Sequence, residues 1–156
     1  MRILFICSGN ICRSPMAAEY ARHRASQTGL SHVVVDSAGT LGIEGAPASD
    51  EAVVTLRTAG LDLTHHRSRG LRRDDVTDSE LILVMEHRHR ETLDHRFPAR
   101  ERGIYLLRAF EDGPDPTLGA PDLDDPIGLS LAFYQARFEE IRTAVDHLML
   151  HLWNRR

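Results

Sequence analysis

The stretch from residue 3 to residue 15 constrains this chain more than any other. Ile3-Leu4-Phe5-Ile6 is an unbroken run of large apolar side chains, β-branched and aromatic, and reads as a buried strand over 2–6. It breaks at once onto Cys7-Ser8-Gly9-Asn10, and Ser14-Pro15 comes close behind. Serine ahead of a proline at the first helical position opens a helix, predicted over 15–28 with Gly29 past its end. A strand with no polar alternation, feeding a helix through a tight turn, belongs inside a parallel sheet covered on both faces.

The rest of the chain repeats that alternation. Val33-Val34-Val35 predicts a second strand, stopped by Asp36-Ser37-Ala38-Gly39. Ser49 caps a predicted helix through Ala59, with Gly60 beyond it. A third strand is expected over 81–85, followed by a His/Arg-rich helix, and a weaker fourth over 104–107. Residues 112–126, rich in Gly, Pro and Asp, form a long loop of the kind that tends to carry function. Leu131, Tyr134, Phe138, Ile141, Val145, Leu148 and Leu152 then draw one apolar stripe down a final helix. The expected class is α/β: one three-layer domain over 1–156, a four-stranded parallel sheet with helices on both faces.

Composition narrows the function. A formal charge of −4 gives no reason to expect a nucleic-acid or anionic-membrane partner. All 19 basic side chains are Arg, which reads as compositional bias. The first apolar run is too short to span a membrane and has no signal-peptide pattern after it, so a cytoplasmic location is expected. The two cysteines form no disulfide framework and point to thiol chemistry instead. His87 and His89 do not share a helical face, and no zinc-type spacing occurs. Neither a metal nor a cofactor is expected.

Ligands of open α/β sheets bind beyond the carboxyl ends of the strands. There the chain places Cys7-Ser8-Gly9-Asn10-Ile11-Cys12-Arg13-Ser14: a cysteine, five residues, an arginine and a hydroxyl. Small Ser8 and Gly9 let backbone amides converge, and the helix N-terminus adds partial positive charge. Arg13 can grip two oxygens of a tetrahedral phosphoryl group. The same field favours a thiolate at Cys7, a nucleophile set against phosphorus.

Ile6 to Ala17 resembles the signature of the low-molecular-weight protein-tyrosine phosphatases. Further landmarks of that family come in order: Asp36-Ser37-Ala38-Gly39-Thr40, His66-Arg67-Ser68-Arg69, the run from Leu81 to Glu86, and Asp125-Pro126-Ile127-Gly128. The resemblance implies the family's flavodoxin-like fold and a phosphocysteine mechanism. Cys7 would be the nucleophile, and Arg13 would bind the phosphate and the transition state. Ser14 would donate to the Cys7 sulfur, and Asp125 would serve as general acid and then base. Asn10, Ser37 and His66 would brace the loop. Cys12 would protect Cys7 by forming a disulfide with it on oxidation. Asp115-Pro116 is a second Asp-Pro pair and Asp124 adjoins Asp125, but Asp115 lacks the context of the family's motif and Asp125 is favoured over either; Asp115 and Asp122 read as turn residues.

The walls of the substrate site are expected from Ile11, the Leu41-Gly42-Ile43-Glu44 segment and Ile127. The short 41–44 loop looks like the bacterial branch that includes protein-arginine phosphatases. Those relatives typically carry Thr where this chain has Ile11, and the apolar side chain favours phosphotyrosine. The expected partner is a phosphorylated protein, with phosphotyrosine first and phosphoarginine as the alternative. Inorganic phosphate would be the product and the enzyme a monomer or weak dimer. An arsenate reductase would need further cysteines after Cys12, and there are none. A non-catalytic phosphate-binding module would not need Cys7, Arg13 and Asp125 together.

Overall fold

Because the first strand is apolar on both faces, it has to lie between two layers, and it does. The computed structural model describes residues 1–100 and 102–155. β1 (Arg2–Cys7) runs up the middle of a sheet ordered β2-β1-β3-β4, with every pairing parallel. Its neighbours are β2 (Val34–Gly39) and β3 (Leu81–Val84), and β4 (Ile104–Leu106) is the edge beyond β3.

One face of the sheet, through Ile3, Phe5 and Leu83, packs on α1 (Arg13–Gln27), α2 (Asp50–Thr58) and α5 (Leu131–Asn154). The other face, through Leu4, Ile6, Ile82 and Val84, packs on Val76 of α3 (Arg73–Asp78) and Leu93 of α4 (His87–Arg96). The α5 stripe is buried from Tyr134 to Leu152, while Leu131 at its start faces outward. Truncating Phe138 to Ala in that stripe is expected to cost about 3–5 kcal/mol.

The fold departs from the sequence reading at three places. β2 does not stop at Val35 but continues through Asp36-Ser37-Ala38-Gly39, in register with Leu4 to Cys7. Pairing with a central strand overrides local turn preference, and the longer strand carries Ser37 alongside the end of β1. α1 starts at Arg13, so Ser14 is not its cap but sits in the first turn. Finally, the short α3 had no sequence signal. Asp75 ties it down by accepting the Arg72 amide at 2.8 Å and two Arg69 guanidinium hydrogen bonds at 2.7 and 2.9 Å. Ser49 caps α2 as expected, accepting the Ala52 amide at 3.3 Å.

Candidate active site

The loop between β1 and α1 is held in shape from outside itself. Asn10 is the one non-glycine with positive φ among the described residues, at 56°. That left-handed conformation is uncommon and persists where the surroundings over-determine it. Here four contacts do so. The Asn10 side-chain amide donates to Ser14 Oγ at 2.8 Å and to Ser37 Oγ at 2.9 Å. Its Oδ1 accepts the Arg69 amide at 3.0 Å, and its carbonyl accepts His66 Nε2–H at 2.7 Å. Burial pushes the His66 imidazole down, which keeps it a neutral donor. Gly39 closes the shape, since a Cβ there would lie 2.6 Å from the Ser8 carbonyl oxygen.

Those bonds fix where the protons point. Ser14 Oγ accepts from Asn10, so its own hydrogen is free for Cys7 Sγ, 3.0 Å away. The Asn10 amide also points at that sulfur, at 3.3 Å. Two donors converge on Cys7, at the N-terminal end of α1, an arrangement that suits an anionic sulfur. The amides of Gly9, Ile11 and Cys12 have no backbone acceptor among the described residues, so they remain available to an anion.

Arg13 is 1% exposed, although arginine is rarely buried without partners. Its Nη1 donates to Glu86 at 2.6 Å and to the Leu123 carbonyl at 2.7 Å, and its Nη2 lies 3.3 Å from Asp125 Oδ2. Its Nε is buried with no hydrogen-bond partner among the described residues. A buried unpaired donor is costly, and it is the atom that a phosphoryl oxygen would satisfy. Burial pushes the Glu86 carboxyl up, but hydrogen bonds from Arg88 and Arg13 outweigh this and hold it below the usual range. Glu86 therefore stays charged and aims the guanidinium.

Among the loop aspartates, only Asp125 lines the cavity around Cys7. Its Oδ1 accepts the Ile127 amide at 3.1 Å, while Arg88 stands 4.0 Å from Oδ2. Asp124 pairs with Arg137 at 3.5 Å, and Asp115 is turned to His151 at 3.8 Å. Asp122 accepts from the His87 amide at 2.8 Å, and Leu123 donates to the Met85 carbonyl at 2.8 Å. These bonds clip the Asp125 loop to the end of β3.

The cavity measures about 150 Å³ and is lined by Cys7, Ser8, Gly9, Ile11, Cys12, Arg13, Leu41, Ile43, Asp125 and Ile127. Its mouth is apolar and its floor charged. The site residues expected from the sequence all lie in this cavity or in the bonds that shape its loop. Cys12 Sγ donates to Ser49 Oγ at 3.4 Å and contacts the Tyr134 hydroxyl at 3.2 Å, and both cysteines are free thiols.

Sequence reasoning missed two residues, Glu86 and His89. Both come directly after β3, at the carboxyl edge of the sheet, and that position was the available signal. His89 is buried with its Nε2 2.8 Å from Ser8 Oγ. Among the described residues no group of His, Cys, Asp or Glu could hold a metal ion, and no helix is long and apolar enough to cross a membrane.

Comparison with known proteins extends this picture to the whole chain. Residues 2–156 match the family described as low molecular weight phosphotyrosine protein phosphatase. A protein-arginine-phosphatase of Geobacillus stearothermophilus is 35% identical, covering 94% of this chain and 93% of its own length. A low molecular weight protein-tyrosine-phosphatase of Streptomyces coelicolor is 37% identical over 80% of this chain and 76% of its own length. Among solved structures, a Cys-to-Ser mutant of the arginine phosphatase YwlE with a phosphorylated active-site serine superposes with a TM-score of 0.91. It is 28% identical and covers 100% of this chain and 98% of its own. With the match running from the first strand to the end of the last helix, the chain belongs to the low molecular weight phosphotyrosine protein phosphatase family.

Proposed function

We propose that this chain hydrolyses phosphotyrosine in proteins through a phosphocysteine intermediate on Cys7, releasing inorganic phosphate. The observation that carries the reading is the meeting of two donors on the Cys7 sulfur beside the unpaired Nε of a buried Arg13. A nucleophile and an oxyanion grip then share one small cavity.

In the first step Cys7 Sγ attacks phosphorus. Arg13 Nε and the loop amides take the equatorial oxygens as the S–P bond forms and the P–O bond breaks. Asp125 gives its proton to the departing phenolic oxygen, which spares the expulsion of a naked oxyanion. In the second step Asp125 takes a proton from water as the water oxygen attacks phosphorus. Ser14 donates to the sulfur as the S–P bond breaks. Asn10, Ser37 and His66 hold the loop to this geometry, and Glu86 aims Arg13. Cys12 is the thiol on which a Cys7 sulfenic acid condenses after peroxide. Ile11, Leu41, Ile43 and Ile127 receive the aromatic ring.

Protein-arginine phosphatase action by the same two steps is the second reading, supported by the relative from Geobacillus stearothermophilus. Asp125 is the cavity's one carboxylate among the described residues, and its apolar walls suit a phenyl ring better than a guanidinium.

The test is hydrolysis of phosphotyrosine and phosphoarginine peptides by the native protein, Cys7→Ser and Asp125→Ala. Faster turnover of phosphotyrosine, none with Cys7→Ser, and a loss of about a hundredfold or more with Asp125→Ala are expected. Activity that survives Cys7→Ser overturns the mechanism. A preference for phosphoarginine replaces the first reading with the second.

A further inference from the structure

The sequence marks Ser8 only as a small residue that lets the loop curl, and nothing in the two catalytic steps uses His89. The two side chains are nevertheless joined across the site at 2.8 Å, Ser8 Oγ to His89 Nε2. His89 sits in the first turn of α4 and is 1% exposed. Its Nδ1 accepts the Glu86 backbone amide at 3.1 Å. With Nδ1 occupied as an acceptor, the neutral ring carries its hydrogen on Nε2 and donates it to Ser8.

The ring is kept neutral. Burial pushes it down to about 4, and the Arg13 guanidinium adds to the effect. The charged groups around it include Arg13 on α1, Glu86 and Arg88 at the β3–α4 junction, and Asp122 and Asp125 on the long loop. Glu86 Oε2 lies 3.7 Å from Nε2.

The consequence falls on the Ser8 hydroxyl. It already accepts from His89, and its own hydrogen has no acceptor among the described residues. Ser8 lines the cavity beside Cys7 and Gly9.

We propose that Ser8 is a binding residue for the phosphoryl group, donating its hydroxyl hydrogen to a phosphoryl oxygen, and that His89 is the positioning residue that orients it. The site then grips phosphate with one side-chain hydroxyl beyond the loop amides and Arg13. The hydroxyl's direction is set from α4, the helix that also supplies Arg88. A buried histidine at this place thereby acts on substrate without touching it. The inference rests on the phosphatase reading above.

The experiment is a double-mutant cycle on Ser8→Ala and His89→Leu, with His89→Gln as the conservative variant. It reads kcat/KM for an aryl phosphate and, independently of turnover, the affinity for inorganic phosphate by calorimetry. Ser8→Ala and His89→Leu are each expected to weaken phosphate binding and kcat/KM by about tenfold, the loss of one hydrogen bond to a charged group. The double variant should be no worse than either single one, because His89 acts through Ser8. His89→Gln, whose amide can donate at similar reach, should recover most of the loss. Native phosphate affinity in Ser8→Ala overturns the proposal. So do losses that multiply in the double variant, which would mark His89 as structural only. Failure of the phosphatase reading would look different: the native protein would turn over no phosphate ester, while the phosphate titrations would still report on Ser8.

Discussion

The two cysteines lie five residues apart and are equally hidden, at 2% and 4% exposed, yet they sit in opposite surroundings. Cys7 faces two donors, the Asn10 amide and the Ser14 hydroxyl, and opens on the cavity floor. Cys12 is wedged between Ser49 and Tyr134. Burial pushes its thiol up, beyond what hydrogen bonds with Ser49 and Tyr134 pull back. Burial, then, does not rank thiols for reactivity. The direction of the nearest protons does.

The comparison is most severely tested by exchange of each sulfur. Cys7→Ser should abolish turnover of an aryl phosphate, while Cys12→Ser should keep it within about tenfold of native, measured by steady-state kinetics. Equal losses would erase the distinction. Alkylation sharpens it next. Iodoacetamide at neutral pH should label Cys7 first by mass spectrometry, and Cys12 only at a pH above the ordinary thiol range. Inorganic phosphate should protect Cys7 alone.

Removing one donor should then show an effect of about tenfold. Ser14→Ala, which takes the 3.0 Å hydroxyl away from the Cys7 sulfur, should slow turnover of an aryl phosphate, whereas Ser49→Ala should leave it near native, measured by steady-state kinetics. Peroxide would join the two sulfurs: a Cys7–Cys12 disulfide by mass spectrometry, with activity restored by reductant, is expected. Irreversible loss without that bond would leave Cys12 as packing only.

A separate effect, on stability and not on turnover, concerns the support of the Cys7 side. His89 titrates near 4 in the folded protein and near 6.5 when unfolded, so the unfolded chain binds more protons between those values. Stability is therefore intact above pH 6.5 and falls as pH drops toward 4, by up to about 3 kcal/mol from this group. His66, also pushed down by burial, adds to the same slope. His89→Gln should flatten part of it in thermal melts across that window.

Much of this site was legible because its parts are close in sequence. β1, the loop and the start of α1 are one continuous segment, and chemistry there comes from residue types and order. The α5 stripe and the Ser49 cap were likewise local patterns. What escaped was set by distance along the chain. Glu86 meets Arg13 across 73 residues and His89 meets Ser8 across 81, and no local pattern encodes either meeting. Asp36-Ser37-Ala38-Gly39 has the composition of a turn and became a strand because β1 was there to pair with.

The unpaired Nε of Arg13 has a consequence for the protein's persistence as well as its chemistry. A folded chain that leaves a buried donor unmatched is less stable by about 1–3 kcal/mol than one in which an anion fills it. Any tetrahedral oxyanion that binds the folded state and not the unfolded one stabilises the fold, by about 2.7 kcal/mol at a hundred times its Kd, and so raises the melting temperature with its concentration. The phosphate released by turnover is such an anion. An enzyme working among its own products would be harder to unfold, and harder to proteolyse, than the same chain at rest in phosphate-free buffer.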